Sequence, residues 1–380
     1  GMETVEDITI EESKDSRSCL RICVTNPSIR EDTLSKYVIY TVQGLDNQGD
    51  FERVRRYTDF VKLRMLLIEN WPTCYVPPIP PKQVIGNFAS QFIESRRKML
   101  NHFVSKISEL SYLYHAEEFQ QFIRGPEDYE KATSLKQSIC SIEPKFTSNF
   151  EEFNQEEVSD QRIQTIAGFE KFAKSNFVSL KEFKETVKTV KLQYEQFRYL
   201  MNGFSKKFTE VESQYLNYFG TVNIFTPLSA EAQENPFETL YEWIKFEIVD
   251  LKSMLQVVEH RYFLDNEKYK AECKVSEYNK RISKLQSGKS SIKQMLSTKS
   301  KEQNISSTEA KLAQKEKEIK AFSMVIRIAL NRLGAYELPK FQEKKTKEYK
   351  TMMQQFSSLL QSEFQTFNHS AEESLKKSQS

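Results

Sequence analysis

The chain has 380 residues, with 55 Lys and Arg against 53 Asp and Glu and a net charge of +2, so any attraction to an anionic surface must come from local patches. No apolar run approaches the roughly 18 residues that cross a bilayer, which excludes a membrane-spanning helix. Five cysteines (Cys19, Cys23, Cys74, Cys140, Cys273) show neither metal-ligand spacing nor a disulfide framework, and fit a reducing compartment.

Gly1-Met2 is expected to be a cleavage remnant, with no signal-peptide pattern behind it. Residues 1–16 are acidic and polar and read as a flexible tail. Cys19 to Val24, Tyr37 to Val42 and Phe51 to Arg56 alternate as strands, with a turn over Gly44 to Gly49. Asp59 to Leu67 reads as a helix with Phe60, Leu63 and Leu67 on one side. The run Pro77-Pro78-Ile79-Pro80-Pro81 is extended and stiff, because each proline fixes its own φ and restrains the residue before it. Phe92 to Ile107 is a second helix with Met99, Phe103 and Ile107 inside, and Phe119 to Ile123 closes the domain at Gly125-Pro126.

Arg55-Arg56-Tyr57-Thr58-Asp59-Phe60 places two guanidiniums beside an aromatic ring. Guanidiniums hold phosphate oxygens bidentately, and an aromatic face packs against the apolar side of a ring. Taken alone, these six residues are better described as a strand end with a solvated arginine pair and a tyrosine covering the core. Followed by Pro77 to Lys82, however, the stretch resembles the signature of a PX (phox-homology) domain over roughly residues 17 to 124. The resemblance implies a three-stranded antiparallel sheet packed on helices, with a pocket for the headgroup of phosphatidylinositol 3-phosphate. It further implies that Arg56 holds the 3-phosphate, Tyr57 packs under the inositol, Lys82 reaches the 1-phosphate and Arg96 hydrogen-bonds the 4- and 5-hydroxyls. Thr58 stands where a serine is commoner in the family. Val84, Ile85 and Phe88 lie where the family can insert an apolar tip into a bilayer. Packing onto the helix that follows is the equal alternative for these three.

Residues 126–150 read as a linker, with Leu135, Ile139 and Ile142 as the apolar side of a short helix within it. Over 151–376 the pattern changes. With only 10 Gly and 11 Pro in the chain, this part is expected to be helical. A first long helix spans Val158 to Gly220, where Phe197, Met201, Phe204, Phe208, Val211, Tyr215 and Tyr218 recur at four–three spacing. A second runs from Phe237 to Ser287 with Leu240, Trp243, Leu251, Leu255 and Val258 on its facing side, widened by Ile244 and Ile248. A third begins near Ser300, with a kink expected at Pro339. Helices of about 50 to 65 residues are about 75 to 100 Å long, and a narrow unit of three leaves aromatic surface that a second copy or a relative would bury.

A PX module followed by three long helices resembles a sorting nexin of the PX-BAR class. The fold expected is therefore α+β and then all-α: a PX domain over 17–125 and an elongated three-helix BAR domain over 151–376. The class implies a homodimer, or a heterodimer with a related sorting nexin, that senses or generates curvature on endosomal membranes. It also implies a peripheral protein on the cytosolic face of early endosomes, with transport cargo or coat proteins as further partners. Arg281, Lys284, Lys289, Lys293, Lys299 and Lys301 gather without an acidic residue between helices two and three. Such a patch at the tip attracts an anionic leaflet at about 1 kcal/mol per side chain; the alternative is a solubilising loop. No recognition helix or stacking platform accompanies it, so nucleic acid is not an expected partner. The four histidines have no companions at ligand spacing, no catalytic fingerprint is present, and nothing implies a cofactor or an enzyme. The competing reading is a dimeric endosomal scaffold that recruits proteins without shaping membrane.

Overall fold

The computed structural model describes residues 21–31, 36–82, 88–129, 137–154, 157–220, 224–227, 234–287 and 301–379. They fall into two units: Gly1–Pro72 with Val76–Ile142, and Thr73–Tyr75 with Glu143–Ser380. The expected 1–16 tail lies outside the described residues.

The first unit opens with β1 (Arg21–Glu31), β2 (Lys36–Asp46) and β3 (Gly49–Arg56), an antiparallel sheet in the order β1-β2-β3. Register slips in β1 between Thr25 and Ser28, where Asn26 has φ 46°. The β2–β3 pairing runs from Ile39 opposite Arg56 to Asp46 opposite Gly49. The turn is therefore tighter than the sequence suggested. Gly44 lies inside β2 opposite Phe51, and the chain reverses at Asn47-Gln48. Asp46 Oδ1 accepts the Gln48 N–H at 2.7 Å, and Gly49 supplies φ 97°, which an L side chain rarely adopts.

Four helices follow: α1 (Tyr57–Asn70), α2 (Ser90–Glu109), α3 (Ser111–Tyr114) and α4 (Glu117–Arg124). The apolar stripes of α1, α2 and α4 meet the inner face of the sheet. Phe60, fully buried, lies edge-on to Phe122 at 4.9 Å and is ringed by Tyr40 at 6.3 Å and Phe103 at 6.4 Å. Edge-to-face rings of this kind add about 0.5–1.5 kcal/mol per pair beyond the area they bury.

Next in the chain, α5 (Ile139–Asn149) carries Pro144 inside it, and its Ile142 is buried. Leu135 lies outside the described residues. The second unit then consists of α6 (Asp160–Phe219), α7 (Pro236–Gln286), α8 (Lys301–Arg332) and α9 (Leu338–Gln379). Helix α6 begins at Ser159, whose hydroxyl accepts the Arg162 N–H, and ends at Gly220 in the left-handed conformation. At about 1.5 Å per residue its 60 residues extend about 90 Å.

The interruption expected at Pro339 takes a specific form. Leu333–Glu337 is a π turn joining α8 to α9, with the Leu338 N–H bonded to the Leu333 carbonyl. One residue added to the turn accommodates a proline that lacks an N–H and crowds the carbonyl four residues back. Gly334 in this turn is pressed against α6: an added Cβ would come within 2.8 Å of Arg162 Cβ.

Val187, Leu240, Ile244 and Met352 form a core shared by α6, α7 and α9. The α7 stripe centres on Ile244, Leu251, Met254 and Val258, while Trp243 is partly buried at its edge. Charged groups lock the same helices. Asp250 on α7 meets Lys345 Nζ at 2.5 Å and Lys344 Nζ at 3.2 Å, and Lys345 also reaches Glu247 at 2.9 Å. The α6 seam is covered only in part among the described residues: Phe225 packs on Phe208 at 4.3 Å and Phe367 lies 6.0 Å from Phe197, but Phe204, Phe208, Val211 and Tyr215 remain exposed, and Tyr218 is 84% exposed. No described helix is long and apolar enough to cross a membrane.

Candidate functional site

The adjacent arginines at the end of β3 part company. Successive strand residues face opposite sides, and Arg55 turns inward, with no exposed surface. Its guanidinium donates to the carbonyls of Phe122 at 2.9 Å, Val54 at 3.1 Å and Glu127 at 3.2 Å, and lies over the Phe122 and Tyr129 rings. Burial pulls its pKa down from the ordinary arginine value. Arg55 ties β3 to α4 and is not available to a ligand, so the two-guanidinium grip that the sequence suggested reduces to one arginine.

That arginine is Arg56, which is exposed, with its guanidinium 3.7 Å from the centre of the Tyr37 ring. Its backbone N–H donates to Asp59 Oδ2 at 2.7 Å, which starts α1 at the strand end and fixes the direction in which Tyr57 leaves the sheet. The Tyr57 hydroxyl donates to the Pro80 carbonyl at 2.6 Å. Arg64 Nε holds the Pro77 carbonyl at 2.9 Å, so the proline run is pinned at both ends to α1. Lys82 stands exposed just past the second of these pins.

Arg96 comes from the opposite side, on α2. Its guanidinium lies 4.2 Å from the Tyr57 ring centre and 4.3 Å from that of Phe92, and the residue is only 7% exposed. Among the described residues, Nε and Nη2 have no hydrogen-bond partner. The acid nearest in sequence does not supply one: Glu94 is paired with Arg97 at 2.7 Å. The Tyr40 hydroxyl, also buried, makes no hydrogen bond of ordinary geometry but lies close enough to Arg96 for its charge and N–H groups to act on it. Burial raises the pKa of Tyr40 and of Tyr57, and the positive charge of Arg96 opposes both shifts.

Of the four residues singled out from the sequence, Tyr57 and Arg96 are in direct contact, Arg56 adjoins Tyr57, and Lys82 is positioned through the Pro80 anchor. Chemically the set offers cationic and aromatic side chains with N–H donors on Arg96 unspent among the described residues, groups suited to a ring bearing anionic and hydroxyl oxygens. Sequence reading missed Tyr37, Tyr40 and Phe92. Only Phe92 carried a usable signal, since it precedes Arg96 by four residues on one helix.

Phe88 is half-buried under the Lys36 ammonium at 5.4 Å, while Val84 and Ile85 lie outside the described residues. Arg281 and Lys284 are exposed on the last turns of α7. Lys289, Lys293 and Lys299 lie outside the described residues, as does the side chain of Lys301, which opens α8.

The PX domain family matches residues 44–125. Vacuolar protein sorting-associated protein vps5 of Schizosaccharomyces pombe is 36% identical over 110 residues, 27% of this chain and 19% of that protein. Sorting nexin 1 of Arabidopsis thaliana is 31% identical over 123 residues, 30% of this chain and 31% of that protein. The matched segment thus spans under a third of these relatives' length. Among solved structures, the SNX-BAR Mvp1 tetramer aligns over 93% of this chain and 99% of that chain, with 17% identity and a TM-score of 0.47.

Proposed function

We propose that this chain, whose residues 44–125 match the PX domain family, is a sorting nexin that binds membranes carrying phosphatidylinositol 3-phosphate and acts there in endosomal sorting. Its work is binding and not catalysis. In this reading Arg56 takes the 3-phosphate, Tyr57 packs under the inositol, Lys82 meets the 1-phosphate and Arg96 meets the neighbouring hydroxyls. The observation that carries it is Arg96, a buried cation between two rings with donors that no described group satisfies. An unpaired buried charge is costly, and a headgroup oxygen in the donor plane removes that cost.

The helical unit serves as a BAR domain that dimerises with a second copy or a related sorting nexin. The exposed α6 seam supports this, because so much aromatic surface on one helix face marks an interaction surface. The dimer senses or imposes curvature, and exposed Arg281 and Lys284, with the lysines up to Lys301, face the anionic leaflet. Two weak contacts on one body reinforce each other through effective concentration, so neither holds well alone. Residence on the cytosolic face of early endosomes follows from the lipid.

The test is co-sedimentation of full-length wild type and Arg56→Ala with vesicles with and without phosphatidylinositol 3-phosphate. The wild type is expected to pellet only with the lipid, and the variant to lose that dependence with its helicity and mass unchanged. Equal binding by both proteins would sink the assignment.

A further inference from the structure

We propose that Phe92 is a positioning residue of the headgroup site: with Tyr57 it clamps the Arg96 guanidinium in one plane and keeps its donors free for the ligand. The proposal rests on the reading that Arg96 meets the headgroup, and it adds a residue to which that reading gives no role.

The argument starts from the faces of the guanidinium. The Tyr57 and Phe92 ring centres lie within 4.3 Å of it, so hydrogen bonding is directed into the guanidinium plane. In that plane Nε and Nη2 are buried and unpartnered among the described residues. A long side chain with unsatisfied donors ordinarily swings to water or to a carboxylate, because two to four rotatable bonds leave it free to do so. Arg96 does neither: it is 7% exposed, and Glu94 is occupied by Arg97.

Each ring is fixed independently of the ligand. Tyr57 is held by its bond to the Pro80 carbonyl, and Phe92 by its place four residues before Arg96 on α2. The buried Tyr40 hydroxyl, within electrostatic reach of Arg96, is a polar neighbour and no counter-charge. The ligand chemistry implied is a pair of adjacent ring oxygens approaching edge-on, such as vicinal hydroxyls of a phosphorylated inositol. Phe92 itself is only half-buried, so its removal frees Arg96 without opening the core.

The experiment compares full-length wild type, Phe92→Leu, Phe92→Tyr and Arg56→Ala. Binding is measured to vesicles with phosphatidylinositol 3-phosphate and to its short-chain soluble form, with thermal melting and the Arg96 Nε–H resonance as further readouts. Phe92→Leu is expected to bind both ligands about tenfold more weakly, to melt with the wild type, and to lose a slowly exchanging Nε–H signal. Phe92→Tyr keeps the ring face and is expected to restore affinity and signal to within about twofold. If Phe92→Leu binds as the wild type does while Arg56→Ala fails, the clamp is wrong and the headgroup reading stands. If the wild type binds neither ligand, the headgroup reading fails and takes the clamp with it. If Phe92→Leu melts early and Phe92→Tyr restores stability but not affinity, the residue is structural and the proposal is overturned.

Discussion

Arg55 and Arg56 are neighbours of identical type, and the structure predicts opposite consequences for their loss. Arg55→Ala removes four charge-assisted bonds, to the Phe122, Val54, Glu127 and Gly125 carbonyls at 2.9, 3.1, 3.2 and 3.5 Å. Each is worth roughly 1.5–3 kcal/mol where the donor is charged. The guanidinium no longer has to be desolvated, which offsets part of the loss, but the cavity and the orphaned carbonyls remain. A net destabilisation of about 3–5 kcal/mol follows, which corresponds to a fall in melting temperature of roughly 15–30 °C for a domain of this size.

The assay can isolate the first unit, because the chain has two tryptophans and Trp71 is buried there while Trp243 lies on α7. In a Trp243→Phe background, the Trp71 emission reports the melting of the sheet and its helices. Arg56→Ala in the same background is expected to melt within about 2 °C of its parent, since surface changes rarely exceed ~0.5 kcal/mol. An Arg55→Ala midpoint within about 4 °C of the parent would refute the assignment of Arg55 as the tie between β3 and α4.

Tyr57→Phe keeps the ring under Arg96 and deletes only the bond to the Pro80 carbonyl, so lipid affinity should fall by a few-fold, near 1 kcal/mol; titration with the soluble headgroup measures it, and no change would mean the proline segment is held without that bond. Burial drives the Asp250 pKa up, but Lys345 and then Lys344 more than offset this and leave it below its ordinary value of 3.8. Its stabilisation is therefore present above pH ~3.8 and lost as pH falls through the depressed folded value. Asp250→Asn should cost about 1–3 kcal/mol at neutral pH by removing one of the buried carboxylates that face Lys345, Glu247 keeping it paired, and should flatten the acid limb of the second unit's unfolding, read by Trp243 in a Trp71→Phe background. Introducing charge on the exposed seam, as in Phe204→Glu with Tyr215→Glu, should halve the mass seen by light scattering while leaving helicity intact. An unchanged dimer mass would place the interface elsewhere.

Much of the fold was legible because its signals are local. The helix spans and the strand order followed from periodicity and from scarce Gly and Pro, and the π turn lies beside the proline that flagged a break. The recess was legible only in part. Arg56-Tyr57 and Lys82 stand in motif positions, whereas the burial of Arg55 depends on strand facing and on carbonyls about 70 residues away. Gly44 reads as a turn residue by type, but the strands run past it and reverse at Asn47-Gln48. On α6, spacing identified the seam, yet spacing alone does not say whether a seam is filled within the chain. Among the described residues it is filled only in part: Phe204 and Phe208 meet Phe225 yet stay exposed, while Val187 on the same helix is buried in the shared core.

The central claim is that one dimer couples lipid recognition to membrane curvature. It is tested most directly by co-sedimentation with vesicles of two diameters, with and without phosphatidylinositol 3-phosphate, alongside light-scattering mass. The account predicts a dimer that binds only with the lipid and more tightly on the smaller vesicles. Binding that ignores the lipid, or lipid-dependent binding by a monomer indifferent to diameter, would contradict it.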